Sequence, residues 1–219
     1  VSADYTRVYI STPEAFAWWA KQGCSIDAYL EADLDMSAYR WKPAVLNDKT
    51  IFGNKYKISG IYAIETTSEV GLFGALYSGS IENLGVVDSY IKGSYHRIGG
   101  LCGVAHRGCI RNSYVQNSIV VGDDITGGFI GYNANCTVLN SYVNSYISGR
   151  RWNGLFIGVL NSGTIQNCYA AGDLEQRSYC YNGGIVAYVE SGGTITNSYS
   201  TTISMGVIGF EGVSLIADT

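Results

Sequence analysis

Chemistry in this chain has few side chains to work with, and they gather in loops. Four loops carry most of the cations and exposed-type aromatics of the second half. They are Ser94-Tyr95-His96-Arg97, Asp123-Asp124, Arg150-Arg151-Trp152-Asn153 and the run Glu175 to Asn182 with Arg177, Tyr179 and Tyr181. Guanidinium forks recognise carboxylates and planar amides, and Trp and Tyr stack on sugar faces. Arg97, Arg150, Arg151, Trp152, Arg177, Tyr179 and Tyr181 are therefore the candidate ligand-binding residues, suited to an acidic glycan or a protein epitope. The plainer reading is that a repeat protein puts its polar residues in its loops. Gly122-Asp123-Asp124 offers a second chemistry, because paired carboxylates can act as acid and base in glycoside hydrolysis. An acidic dipeptide in a turn is also ordinary turn chemistry.

Other catalytic and metal-binding sets are not spelled out. There is no His-Glu-x-x-His, no Gly-x-Ser-x-Gly and no P-loop. The six Cys stand at 24, 102, 109, 136, 168 and 180 with no C-x-x-C pair, and His96 and His106 are the two histidines. Buried apolar thiols are expected, with a Cys109–Cys136 disulfide as the alternative. Asp33 and Asp35 form an alternating acid pair that could hold Ca²⁺, but no metal and no cofactor is assigned.

The elements that position these loops come from a repeat. Gly71-Leu72-Phe73-Gly74 is followed by Gly99-Gly100-Leu101-Cys102-Gly103 and Gly127-Gly128-Phe129-Ile130-Gly131. The series continues with Gly154-Leu155-Phe156-Ile157-Gly158, Gly183-Gly184-Ile185-Val186-Ala187 and Gly206-Val207-Ile208-Gly209. A second element trails the first five, typified by Thr137-Val138-Leu139-Asn140-Ser141-Tyr142 and Thr164-Ile165-Gln166-Asn167-Cys168-Tyr169. Its Asn falls at 83, 112, 140, 167 and 197, spacings of 29, 28, 27 and 30 residues. A third apolar patch closes most units, as in Tyr90-Ile91, Ile119-Val120-Val121 and Tyr146-Ile147.

Each unit thus has three strand-length runs separated by Gly, Asn and Ser, with no helical period between them. A unit of this size cannot bury its apolar face alone, but stacked units can. The expected fold is all-β: a parallel β-solenoid (β-helix) with three short strands per turn, right-handed by the general bias of parallel crossovers. The recurrent Asn would take a left-handed bend and bond its amide along the stack. In the strand after it, Leu84 and Val86 point inward, so Tyr114, Tyr142, Tyr169 and Tyr199 should form an outward aromatic ladder. Such a ladder could meet a ligand or simply be structural.

The G-G-[LFI]-x-G element followed by [GT]-x-I-x-N-[SC]-Y resembles the GLUG-motif repeats of bacterial cell-surface proteins over roughly residues 70–209. Tyr29 to Ser37, Trp41-Lys42-Pro43 and Phe52 to Ile61 resemble the segment that often precedes such repeats. The resemblance implies a secreted or bacterial cell-surface β-solenoid. Such solenoids are found in adhesins and in the non-catalytic part of immunoglobulin-cleaving peptidases.

Three regions of one continuous domain are expected: an N-terminal cap over 1–28, irregular early turns over 29–69 and regular repeats over 70–219. Ser11-Thr12-Pro13-Glu14 reads as a helix start, with Gly23 as the stop. The helix through Phe16, Trp18 and Trp19 would be a lid over the open end of the solenoid core. The chain opens Val1-Ser2-Ala3-Asp4 and reads as a mature or trimmed segment, and it could belong to a longer surface protein.

Composition narrows the partners. Only 15 % of residues are charged, the formal net charge is −4, and there are 28 Gly but 2 Pro in 219 residues. That argues against a nucleic-acid-binding face, and no apolar run is long enough to insert in a membrane. The expected function is a non-catalytic adhesin-like module whose rigid face meets a host or environmental glycan or a surface protein. The alternatives are a carbohydrate-active β-helix enzyme, polygalacturonase- or lyase-like, centred on Asp123 and Asp124, and a structural stalk or self-assembly unit.

Overall fold

The computed structural model describes residues 6–175, 180–201, 208–211 and 215–218, the last two stretches by backbone course alone. The strands pair in parallel, each with its counterpart one turn away, and build sheets of fourteen, nine and four strands. The parallel β-solenoid expected from the repeats is the fold. Two of its three faces carry more than one strand per turn. On the first face, Cys102–His106 and Cys109–Arg111 are separate strands, whereas the next turn runs unbroken as Ile130–Leu139. On the second, Gly85–Val87 and Tyr90–Gly93 give way to Tyr114–Val121. The third face holds the short strands Ile98–Gly99, Ile125–Gly127, Trp152–Gly154 and Tyr181–Gly183. The three strands expected per turn correspond to these three faces, two of which are kinked so that some turns break a face into two strands. The kinks sit where Ser78, Arg107 and Asn135, or Asp88 and Asn117, take positive φ.

Alternation along each strand puts one apolar column inside every face. Ile51, Ile81, Ile110, Val138, Ile165 and Ile195 are register partners down the first face, and all are buried. Val86, Val115, Val143 and Ala170 do the same on the second. Phe129 and Phe156 stack in the interior with ring centroids 4.7 Å apart. Burying each Val, Ile or Phe side chain contributes about 1.5–3 kcal/mol.

The corners are held by polar side chains that bond along the axis. Asn83, Asn112, Asn140, Asn167 and Asn197 all have φ between 48° and 55°. Each amide nitrogen donates to the amide oxygen of the Asn one turn earlier, at 3.1, 3.2, 3.0 and 3.3 Å. The next residue inward is Ser113, Ser141 or Ser198, buried in each case. The Ser113 hydroxyl donates to the Arg111 carbonyl at 2.9 Å and accepts from the Leu84 N–H at 3.2 Å. Ser89 and Ser118 repeat the device at the second-face kink. At the third corner, a Cβ on Gly99, Gly127, Gly154 or Gly183 would lie 1.8–2.0 Å from a backbone oxygen three residues on. Only glycine fits that approach, which explains the G-G signature.

The helix covers Pro13–Lys21, with Pro13 at its start and the Thr12 hydroxyl accepting from the Ala15 N–H at 3.2 Å. It buries Phe16 and Trp19 and leaves Trp18 exposed. Phe16 stacks on Trp41 at 5.0 Å, and Trp19 meets the Phe73 ring edge-on at 6.3 Å. Strand Arg7–Ile10 pairs with Asp27–Leu30, so the ladder starts ahead of the helix and the helix is inserted between its first two rungs.

All six cysteines are free thiols. Burial pushes Cys24 up to about 12 and Cys168 up to about 11, and raises Cys102 and Cys136 as well. The Cys109–Cys136 disulfide is not formed. Cys109 is in register with Thr137 rather than with Cys136, and both cysteines are free, Cys136 buried and Cys109 partly so.

Candidate functional site

The loops that precede the third face stack into one shallow cleft of about 510 Å³ lined by Tyr95, His96, Asp123, Asp124, Arg150, Arg151 and Tyr181. Successive turns of the solenoid supply them, so their spacing along the axis is set by the ladder beneath. The base of each loop is narrow. A Cβ on Gly122 would lie 2.2 Å from the Thr126 Oγ1, and one on Gly149 would lie 1.9 Å from the Asn153 Oδ1. Those glycines let the buried Thr126 and Asn153 close the loop and turn its charged tip outward.

The charges interlock across turns. The Arg150 Nε and a terminal guanidinium nitrogen take the two oxygens of Asp123, 27 residues earlier, at 2.9 and 3.1 Å. Arg151 lies 3.5 Å from Asp124, whose other oxygen contacts the His96 Nδ1. The arginines and His96 lie on the outside of this arrangement. Side-chain exposure is 72 % for Arg150, 60 % for Arg151 and 54 % for His96, against 43 % for Asp123 and 16 % for Asp124. The two guanidinium groups thus lie outside the two carboxylates they pair with, in a cleft also lined by the exposed Tyr95 and Tyr181.

The structure divides the residues singled out from the sequence. Arg150, Arg151 and Tyr181 line the cleft, together with Tyr95, His96, Asp123 and Asp124. Trp152 is not an open platform, because its indole stacks on Tyr181 at 4.3 Å and on Tyr188 at 4.4 Å, with the Arg151 guanidinium 5.3 Å from the ring centre. Arg97 belongs to a neighbouring recess, paired with Glu69 at 3.2 Å and lying over the Tyr132 ring at 4.9 Å. Arg177 and Tyr179 lie outside the described residues. Asp33 and Asp35 serve separate backbone groups, accepting from the N–H of Lys57 at 3.0 Å and of Ser37 at 2.9 Å.

Sequence reasoning missed a polar chain beside the cleft. Tyr132 hydrogen-bonds Glu190, and the Asn161 amide donates to the same carboxylate at 2.7 Å. Burial first, then the Glu190 contact, pushes the Tyr132 hydroxyl up to about 12, and the Tyr132 and Asn161 hydrogen bonds hold Glu190 below the usual carboxylate range. These residues come from successive turns, spaced 29 and 29 residues apart, but they are of three different types and form no motif that marks them in the sequence.

The tyrosine ladder forms on the outside of the second face as expected. Tyr114, Tyr142, Tyr169 and Tyr199 stack with centroids 5.0, 4.8 and 5.7 Å apart and planes within 13° of parallel. The rings overlap like tiles toward the N-terminus. The Tyr114 ring reaches over Gly85, where a Cβ would come within 2.4 Å of it. Each ring face is thus partly covered by its neighbour, and the ladder offers ring edges and hydroxyls to solvent. Partial burial, and then the adjacent tyrosines, raise the hydroxyls of Tyr142 and Tyr169.

No protein-family model matches the chain, and no curated protein matches it. A crystal structure of a protein from Bacteroides ovatus, provisionally named an immunoglobulin A1 protease, superposes with a TM-score of 0.70. The match covers 98 % of this chain and 78 % of that one at 18 % identity. At that identity the likeness is one of fold: a parallel β-solenoid.

Proposed function

We propose that this chain is a non-catalytic, adhesin-like binding module of a secreted or cell-surface bacterial protein, presenting a rigid solenoid edge to a glycan or protein ligand. The observation that carries the reading is the outward layer of Arg150, Arg151 and His96 beside two exposed tyrosines, in a cleft built from successive turns. A fold shared with a Bacteroides ovatus protein and the resemblance of the repeats to GLUG motifs support the bacterial surface setting. The mechanism is many weak contacts on a pre-formed surface, with little reorganisation on binding. Asp123 and Asp124 line the same cleft and are what a carbohydrate-active enzyme would use, but Asp123 is engaged by Arg150 and Asp124 by Arg151 and His96, from neighbouring turns.

A glycan array probed with the wild-type chain and with an Arg150→Ala/Arg151→Ala variant tests this function. Trp152 is left in place because it packs between loops. Binding by the wild type that the variant loses, at equal circular dichroism, is the expected result. Equal binding by both proteins would move the ligand site elsewhere, and hydrolysis of an arrayed glycan would replace the reading with the enzyme.

A further inference from the structure

The cleft contains a carboxylate that occupies the position a ligand carboxylate would take. Arg150 is the most exposed of the cleft cations, and its fork is filled by both oxygens of Asp123, itself 43 % exposed at the rim. Asp124 differs. It is 16 % exposed and is held between His96 and Arg151, and Arg151 in turn lies over the Trp152 ring. One ion pair is thus anchored from several sides, and the other, among the described residues, rests on one two-point contact.

The geometry points to Arg150 as the residue that receives the carboxylate of an acidic sugar, with Asp123 as its displaceable internal partner. This rests on the binding-module reading above and adds the ligand class to it. The Asp124, His96 and Arg151 group is the fixed floor, and Tyr95 and Tyr181 line the same cleft, where the exposed Tyr95 ring would meet a pyranose attached to the carboxylate and Tyr181 is already stacked on Trp152. A two-point Arg–carboxylate contact exchanged for another costs little net charge interaction, because an exposed ion pair is weak in water. The sugar ring then supplies contacts that Asp123 does not have, since stacking on tyrosine adds to the exchanged pair.

Isothermal titration at low salt with 3′-sialyllactose and with trigalacturonate tests the assignment, with lactose as the neutral control and a polyglutamate peptide as the acidic non-sugar. Asp123→Asn keeps a hydrogen-bonding side chain and removes the competing charge. It is expected to bind one or both acidic sugars about two- to fivefold more tightly than the wild type. Arg150→Ala is expected to lose that binding, and Asp123→Asn/Arg150→Ala to behave as Arg150→Ala. The sugar that responds identifies whether a sialic or a uronic acid is the source of the carboxylate. Asp123→Ser, with the melting temperature measured for each variant, separates a charge effect from a folding defect.

Equal or weaker binding by both Asp123 variants, or binding retained by Arg150→Ala, overturns the assignment. Silence toward both acidic sugars does the same. Equal affinity for lactose overturns the acidic class while leaving a glycan-binding module standing. Preference for the polyglutamate peptide overturns it in favour of a protein ligand.

Discussion

The asparagine corner and the loop edge recur once per turn of the same solenoid, yet they obey opposite rules. At the corner the same residue types return every turn. Asn bonds Asn, Ser takes the N–H one turn away, and Tyr covers the residue before it. At the edge the residue types change, from Tyr95-His96 to Asp123-Asp124 to Arg150-Arg151, and the turns interlock by opposite charge. Identical side chains can satisfy one another along an axis only if each is both donor and acceptor, as an amide or hydroxyl is. Charged side chains cannot repeat at 4.8 Å spacing without repulsion, so an edge that carries charge must alternate it. The corner therefore spends its polar groups on the fold, and the edge leaves cations on the outside for something else.

The sharpest way to break the comparison is to disturb the backbone under both regions. Gly154→Ala would place a Cβ 1.8 Å from the Ile157 carbonyl oxygen, which a flexible side chain cannot relieve. A loss of about 3 kcal/mol is expected in urea unfolding, with the edge lost along with the fold. Ser113→Ala removes a buried hydroxyl that satisfies the Leu84 N–H and the Arg111 carbonyl. A destabilisation of about 2 kcal/mol is expected by the same method, because the Leu84 N–H stays buried without that acceptor, while the Arg111 carbonyl keeps the Asn83 N–H at 3.0 Å.

Asn140→Ala and Asn140→Gly sharpen the corner's side of the account. Alanine loses both amide bonds and strains the left-handed backbone, for about 1–2 kcal/mol. Glycine relaxes the backbone and loses only the bonds, so in thermal melts it should fall between alanine and the wild type. The smallest stability effect belongs to the edge. Arg150→Ala/Arg151→Ala should change stability by less than about 0.5 kcal/mol, since exposed ion pairs contribute little.

Much of the corner was legible because its residues repeat. The Asn spacing of 27–30 residues was enough to read a turn length, a left-handed bend and an amide ladder. The Leu84–Val86 alternation placed the tyrosines outside, where they are. The kinks were not legible, because Asp88, Asn117, Ser78 and Arg107 adopt the same backbone with different side chains. Nor was the serine column, since a serine beside an Asn looks like turn chemistry until its register with the next turn is known.

The edge was half legible. Composition picked out the loops, but the pairing of Arg150 with Asp123 and the stacking of Trp152 on Tyr188 depend on register between turns. A single sequence shows which residues share a turn position, not which way their side chains lean.

On the proposed function, the corner carries stability and the edge carries binding, each without the other. The most direct measurement takes one glycan bound by the wild type and records its affinity and the melting temperature together for Ser113→Ala and for Arg150→Ala/Arg151→Ala. A lowered melting temperature with unchanged affinity is expected for the serine variant, and an unchanged melting temperature with lost affinity for the arginine variant. Affinity lost in the serine variant well below its melting temperature, or an arginine variant that melts early and still binds, would contradict it.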